Sequence, residues 1–300
     1  MPFLRERSGR WSPEKIIAFA GACLPALWIA FEAYAADLGP RPFIEAIHQV
    51  GSWAVRFLLI TLAISPARRL FSAPKLINMR RTLGVAAFCY AALHLTLYIV
   101  DQKFDLLKVA SEIVLRFYLT IGFVALTGLI ALAVTSTDGM IKRLGGARWN
   151  NLHNLVYPIA ILGVIHFLLQ SKLDIYEGIL MAGFLFWLLG YRLVHRTVGE
   201  VTLAGSVALS IAASALTASA EALWYAAMTG VAAWRVFSVN LDWDMAPRPA
   251  HWVLAAGLAV TLAAFLWSLI SQSRKPSQAP KARRVASRAP SGAIQVQSGS

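Results

Sequence analysis

Charge is what this 300-residue sequence has least of: 14% of its residues are Asp, Glu, Lys or Arg, whereas 58% are hydrophobic. A water-soluble domain is about one quarter charged and about half apolar, and it still has to cover its surface with polar groups. The shortage excludes an ordinary soluble globule and makes lipid the solvent. Cysteine is nearly absent as well. Cys23 and Cys89 lie in apolar runs without a second cysteine at metal-ligand or redox spacing, so disulfides, zinc and iron–sulfur clusters are not expected. Acidic residues are the scarcer charge, 15 against 28 basic, for a net charge of +13. In a soluble chain that excess would raise nucleic-acid binding first. In a chain this apolar it reports membrane orientation instead, and no nucleic-acid partner is expected.

Long hydrophobic runs are what the sequence does have. A bilayer core needs about 20 apolar residues per helix, and eight runs qualify, over about 16–36, 46–65, 82–100, 115–135, 153–170, 176–194, 201–220 and 251–271. The fold class expected is therefore an all-α polytopic membrane helix bundle of about eight transmembrane helices. The seventh run is the least well bounded, because residues 201–239 hold just two charges, Glu221 and Arg235, and one long or broken helix fits there equally. No internal repeat is evident, and the first run lacks a small-residue cleavage site, so a removed signal peptide is not expected. With the N-terminus inside, 20 Lys and Arg fall in inner segments and seven in outer ones, with Arg56 left within a span. Short inner loops retain positive charge, so both termini are expected on the cytoplasmic side. The chain divides into a short N-terminus (1–15), a core (16–197), an extension with about two further spans (198–271) and a basic tail (272–300) expected to be disordered. That tail could also hold anionic membrane lipids, at about 1 kcal/mol per basic residue; a role in topology with solvated disorder explains it better.

Depth separates the six histidines. His48, His195 and His251 lie near span ends, where a solvated histidine costs little. His94 lies twelve residues into a span entered at Thr82, about 18 Å deep at 1.5 Å per residue, and His166, thirteen residues beyond His153, reaches a similar depth. Two imidazoles on different helices at one depth can hold a haem from opposite faces. Gly84, Ala87 and Ala91 make a stripe of small residues leading to His94, and Gly163 precedes His166 by three, so a flat ring could approach both helices. The same stripe would equally serve helix packing, with the histidines bonding across helices. His153 falls about 140° from the face used by His166 on an ideal helix. A kink at Pro158 would change that offset, leaving open an inner haem with a partner such as His195, or a contact with a haem carboxylate.

Arg56 is a charge in mid-span, and an unpaired guanidinium in lipid costs several kcal/mol. It is expected to meet a haem propionate or a bound lipid head; Glu32 could pair with it only if the first span tilts. Trp28, Trp53, Trp149, Trp187, Trp224, Trp243 and Trp252 mostly fall toward span ends and read as an interfacial belt.

The residues around these histidines resemble a known family. Arg80-Arg81-Thr82-Leu83-Gly84 followed by Tyr90-Ala91-Ala92-Leu93-His94-Leu95-Thr96 is similar to the third span of MsrQ (also called YedZ), the haem-binding membrane subunits of a methionine sulfoxide reductase system. Trp149-Asn150-Asn151-Leu152-His153-Asn154-Leu155-Val156-Tyr157, continuing to Ile165-His166-Phe167, is the second match, and Ser65-Pro66 fits the same pattern. The resemblance covers about residues 12–197, six spans of the ferric-reductase-like group. It implies a conduit of the bacterial inner membrane in which electrons from the quinone pool or a cytoplasmic flavin reductase pass through haem b, one or two groups, to MsrP. MsrP is a periplasmic molybdopterin enzyme that reduces methionine sulfoxide in proteins, and the sulfoxide-reducing site is expected on that partner. The resemblance carries haem association to His94, His153 and His166. It also implies FMN, for which no local motif is found. The last hundred residues exceed the family's usual length. A ferric or quinone reductase of the same group and a transporter or assembly factor with a polar intramembrane path are the rival readings.

Overall fold

The computed structural model describes residues 11–172, 174–242, 244 and 246–273. Residues 1–10, most of the basic tail and Trp243 lie outside them. Every regular element described is helical: α1 Pro13–Tyr34, α2 Pro42–Leu70, a 3₁₀ turn Pro74–Leu76 running into α3 Ile77–Asp101, α4 Leu106–Leu115, α5 Phe117–Val134, α6 Asp138–Leu144, α7 Gly146–His153, α8 Val156–Ser171, α9 Tyr176–Thr197, α10 Leu203–Thr229, α11 Ala233–Val239 and α12 Pro249–Ser273. Eight stretches are long and apolar enough to cross a bilayer. The chain is an all-α multi-pass membrane bundle. An even count brings both described ends to one face, which also carries the basic turns at 71–76 and 135–148.

Helices α2 and α9 are the buried ones. More than half of their apolar windows is inside the protein, 61% and 56%, against 17–28% for the other six spans. Those six turn mainly Leu, Ile and Phe outward, which suits a lipid solvent that gives apolar faces no reason to hide.

Two prolines shape the centre. Pro66 has no N–H for the carbonyl four residues back, and that carbonyl, Leu62 O, accepts from Arg192 Nη2 of α9 instead. Arg192 Nη1 donates to Leu188 O at 2.8 Å, and the guanidinium lies 5.4 Å from the Tyr157 ring centroid. One cation thus ties α2, α8 and α9 together at the site of a missing helix bond. Pro158 denies the same bond to Asn154, and the chain breaks there: α7 ends at His153 and α8 begins at Val156. The expected span over 153–170 is thus carried almost entirely by α8, with α7 a separate short helix before it.

One element was not expected, and two expectations need correction. A ten-residue helix, α4, stands between the third and fourth spans, capped by Asp105, whose carboxylate accepts from Lys108 N at 3.0 Å. The seventh span runs nine residues past 220, because Glu221 is buried against Arg248 and Asn240 rather than ending the helix. It stops at Gly230, in the left-handed conformation at φ 71° that glycine adopts without strain. Trp187 is no belt residue; it is 8% exposed and its Nε1 donates to Ser210 Oγ at 3.1 Å. It sits where α10 and α12 dock on α9, with Gly183 against Thr217 and Gly257 against Ser210, so close that a Cβ would clash. The extension joins the core through α9, since α9 is the core helix that contacts both α10 and α12.

Candidate functional site

Towards the acidic end of the bundle α1, α2, α3, α5, α8 and the start of α9 surround a cavity of about 810 Å³. That lies within the range of small-molecule and cofactor sites, about 300–1,000 Å³. His94 and His166 both line it, with ring centroids 6.2 Å apart and planes at 84°. His94 stands seven residues from the end of α3 and His166 five from the end of α8, about 10 and 8 Å along the helix axis. The two rings, expected from the sequence at one level of the bundle, stand side by side.

The two rings are held the same way. His94 Nδ1 lies 2.8 Å from Ile47 O and His166 Nδ1 lies 2.8 Å from Tyr118 O. A carbonyl only accepts, so each Nδ1 carries the proton and each Nε2 presents a lone pair. Four residues beyond each carbonyl stands a glycine against which the ring lies. A Cβ at Gly51 would be 2.7 Å from His94 Nδ1, and one at Gly122 would be 2.8 Å from His166 Cε1 and Nδ1. The site is built twice, once from α2 and α3 and once from α5 and α8. Carbonyl-fixed imidazoles of this kind are how proteins orient metal-ligating histidines.

A metal shared by the two Nε2 atoms at about 2.0–2.1 Å each, with each centroid about 1.1 Å behind its nitrogen, would separate the centroids by about 6.3 Å. The 6.2 Å between the ring centroids is a spacing at which His94 and His166 would hold one metal ion between them. Ala91 and Gly163 leave room beside it, both lining the cavity. Gly84 and Ala87, the inner part of the same stripe, serve packing instead: a Cβ at Gly84 would meet Thr61 at 3.7 Å, and Ala87 is fully buried. Among the described residues no cluster of three or more His, Cys, Asp or Glu could hold a bare metal ion. The donor set therefore suits a metal whose other ligands come with it, as in a porphyrin.

Arg56 lines the same cavity. Its guanidinium pairs with Glu177 at the start of α9 and lies 4.7 Å from the Trp53 ring centroid. Glu32 binds Trp28 Nε1 at 2.8 Å and Gln49 Nε2 at 2.9 Å instead. His153 is elsewhere. Its ring stacks on Trp149 with centroids 3.8 Å apart, and its Nε2 lies 3.1 Å from Thr135 Oγ1, which itself donates to Ala131 O. His195 stacks on Tyr191, centroids 6.4 Å apart. Trp149 is thus a partner of His153, with its Nε1 on Thr135 O at 2.9 Å, near the start of the fifth candidate span. His251 is buried, with Nε2 2.8 Å from Asn240 O.

Sequence reasoning missed Ile47, Gly51, Tyr118, Gly122 and Glu177. Glycine spacing held the one available signal: Gly51 precedes His94 by 43 residues and Gly122 precedes His166 by 44.

A family model described as "Ferric reductase like transmembrane component" matches residues 50–164, from Gly51's neighbour to just before His166. A protein of Rhodospirillum rubrum named as the heme-binding subunit MsrQ of protein-methionine-sulfoxide reductase is 44% identical over 191 residues, 63% of this chain and 89% of that protein. The protein of the same name from Caulobacter vibrioides is 44% identical over 155 residues, 51% of this chain and 74% of its own. One from Xanthomonas campestris pv. campestris is 44% identical over 178 residues, 59% and 81%. No solved structure matches. With a paired-histidine cavity in a ferric-reductase-like bundle, and 44% identity over 89% of one such protein and 74% of another, the chain belongs to the MsrQ family.

Proposed function

We propose that this chain is the haem b subunit through which electrons cross the bacterial inner membrane to a periplasmic, MsrP-like molybdopterin reductase of methionine sulfoxide. The observation that carries the reading is the pair of carbonyl-anchored histidines, His94 and His166, whose ring centroids lie 6.2 Å apart in one cavity. Haem, when bound, supplies a one-electron couple in the outer half of the bilayer. His94 and His166 hold its iron, Ile47 O and Tyr118 O fix the two tautomers, and Gly51 and Gly122 let the rings sit against the helices. Arg56 offers its guanidinium to a haem carboxylate, a charge-assisted bond of the stronger kind.

The basic face is cytoplasmic by the retention of positive charge in short inner loops, which puts both termini inside. The donor, a quinol or a cytoplasmic flavin reductase, meets that face, where His153 stands with Arg80, Arg81 and Arg148. Residues 16–197 form the electron-carrying core, and 198–271 are an extension fastened to α9. FMN and a second haem at His153 rest on the family resemblance. The oxygen-atom chemistry, reversal of methionine oxidation, belongs to the partner.

Purified in detergent and reduced with dithionite, the protein should show the α and β bands of a six-coordinate haem b. His94→Ala and His166→Ala should each abolish them or convert them to a five-coordinate spectrum. Unchanged spectra in both variants would refute the ligand assignment.

A further inference from the structure

Ten residues at 1.5 Å each make α4 about 15 Å long, half of what a bilayer core requires, so Leu106–Leu115 does not cross the membrane. It stands at the cavity's end of the bundle, between the end of α3 at Asp101 and the start of α5 at Phe117, with Arg116 the single residue between it and that span. Its apolar residues keep a helical period. At about 100° per residue, Val109, Ile113, Leu106, Ala110, Val114 and Leu107 follow one another around a contiguous arc of about 160°. The first part of that arc is covered: Val109 is buried, and Ile113 lines the cavity, its carbonyl accepting from Thr120 Oγ1 of α5 at 2.6 Å. The far part is bare, with Leu107 and Val114 86% and 76% exposed.

We propose that α4 is an interfacial helix whose partner is phospholipid: Leu106, Leu107, Ala110 and Val114 lie against the acyl chains of the leaflet at this end of the bundle, and Lys103 and Lys108 meet its phosphates. An amphipathic helix takes that position when a polar face opposes the apolar one, and Lys108, Ser111 and Glu112 form such a face. Charge points the same way. Three of the seven basic residues assigned to this end of the chain, Lys103, Lys108 and Arg116, fall within these fourteen positions, where they complement anionic head groups. The helix that α4 packs on, α5, is itself a lipid-facing span, with 17% of its apolar window inside the protein. At the other end Lys103 and Phe104 turn the chain out of α3 at φ 55° and 61°, a left-handed conformation that a bulky side chain holds only where its surroundings fix it.

The same helix is a wall of the cavity. Tyr98 of α3, which lines the cavity beside Ile113, donates to Glu112 of α4, and Glu112 also takes Arg116 at 3.3 Å. Lipid on the Leu107 and Val114 side therefore braces the wall that Ile113 and Tyr98 present to the cavity. A soluble protein is the weaker occupant for this stripe, because the stripe would face water whenever that protein was absent. Lipid is never absent from a chain that spans it.

The test is site-directed spin labelling of the full chain in vesicles of phosphatidylethanolamine and phosphatidylglycerol. Cys23→Ala and Cys89→Ala, both outside the cavity lining, clear the background. Labels at Leu107→Cys, Val114→Cys, Lys108→Cys and Ser111→Cys are compared for collision with oxygen, which concentrates among acyl chains, and with a water-soluble nickel chelate. The oxygen-to-nickel ratio should be several-fold higher at Leu107→Cys and Val114→Cys than at Lys108→Cys and Ser111→Cys. Leu106→Cys and Ala110→Cys, on the same stripe, stand in for any variant not recovered in the membrane. Equal ratios at all four positions overturn the proposal and leave the stripe to a soluble protein. Labels at Leu107→Cys and Val114→Cys shielded from both reagents overturn it as well, since a second copy of the chain then covers them. The readout needs no haem, so its failure and the failure of the function proposed above are separate results.

Discussion

Replacing Gly51 or Gly122 by alanine separates the site from the fold, because the two respond with opposite sign. Both glycines lie inside helices, where alanine is favoured by about 0.8–1 kcal/mol of intrinsic propensity, so neither change should weaken the bundle through its backbone. The added Cβ, however, would fall 2.7 Å from His94 Nδ1 or 2.8 Å from the His166 ring, against an ordinary contact of 3.4–4 Å. Each ring must then retreat by about 0.6–0.7 Å, several times the tolerance of about 0.2 Å in a metal–ligand distance. Retreat also strains the 2.8 Å bond of Nδ1 to its carbonyl. Loss of such an orienting contact costs about 10–100-fold in metal affinity. Haem content per protein, from the pyridine haemochrome spectrum, and dissociation to excess apomyoglobin would measure it. Thermal unfolding of the haem-free protein would show that the fold is intact. Gly84→Ala is the control, since its Cβ meets nothing nearer than Thr61 at 3.7 Å. If Gly51→Ala and Gly122→Ala both bind haem as tightly as Gly84→Ala, the glycine-backed histidine is not the device that sets this site.

Arg192→Ala should destabilise the detergent-solubilised protein by about 1–3 kcal/mol, the cost of leaving a buried acceptor unmet. Pro66→Ala, which restores an N–H for Leu62 O, should recover part of that loss in the double variant. Equal losses in both backgrounds, followed by tryptophan fluorescence on heating, would sever the link between the two residues. Reporter fusions after residue 75 and within 138–148 should read cytoplasmic, and fusions near 105 and 174 periplasmic; the reverse pattern would invert the electron path. His153→Ala should keep its haem bands at the outer site yet slow reduction by the inner donor in membranes, whereas His166→Ala should lose the bands. Donor-driven stopped-flow reduction of His153→Ala at the wild-type rate, with haem content unchanged, would show that His153 has no part in entry.

The spans were legible because lipid imposes a length and a composition on any helix that crosses it, and both are visible in one dimension. His94 and His166 were legible for a related reason: depth is residue count times rise, so two histidines counted from the same face come out level. What could not be read was azimuth and partnership. The stripe Gly84, Ala87, Ala91 has one spacing but two uses, packing on α2 at its inner end and lining the cavity at its outer end. Arg56 and Glu177 stand 121 residues apart, and nothing local in either says that α9 will bring them together. Trp187 reads as a belt residue only while the helices that cover it, α10 and α12, are treated as separate from α9.

The paired construction of the cavity is the deeper case. Ile47 with Gly51, and Tyr118 with Gly122, differ in residue type at the carbonyl position because the carbonyl belongs to the backbone and any side chain can carry it. The glycine is constrained, but by a ring arriving from another helix, so its cause lies more than forty residues away. A search for similar words in the sequence therefore sees nothing. Physically the two halves are one solution used twice: a helix that lends a carbonyl and withholds a Cβ fixes both the tautomer and the position of an imidazole. Where that solution occurs twice with the rings 6.2 Å apart, two imidazoles stand fixed on one cavity before any group is bound. The positions, tautomers and clearance of the two rings are then set by the bundle itself, and Arg56, paired with Glu177, is the cation that lines the same cavity.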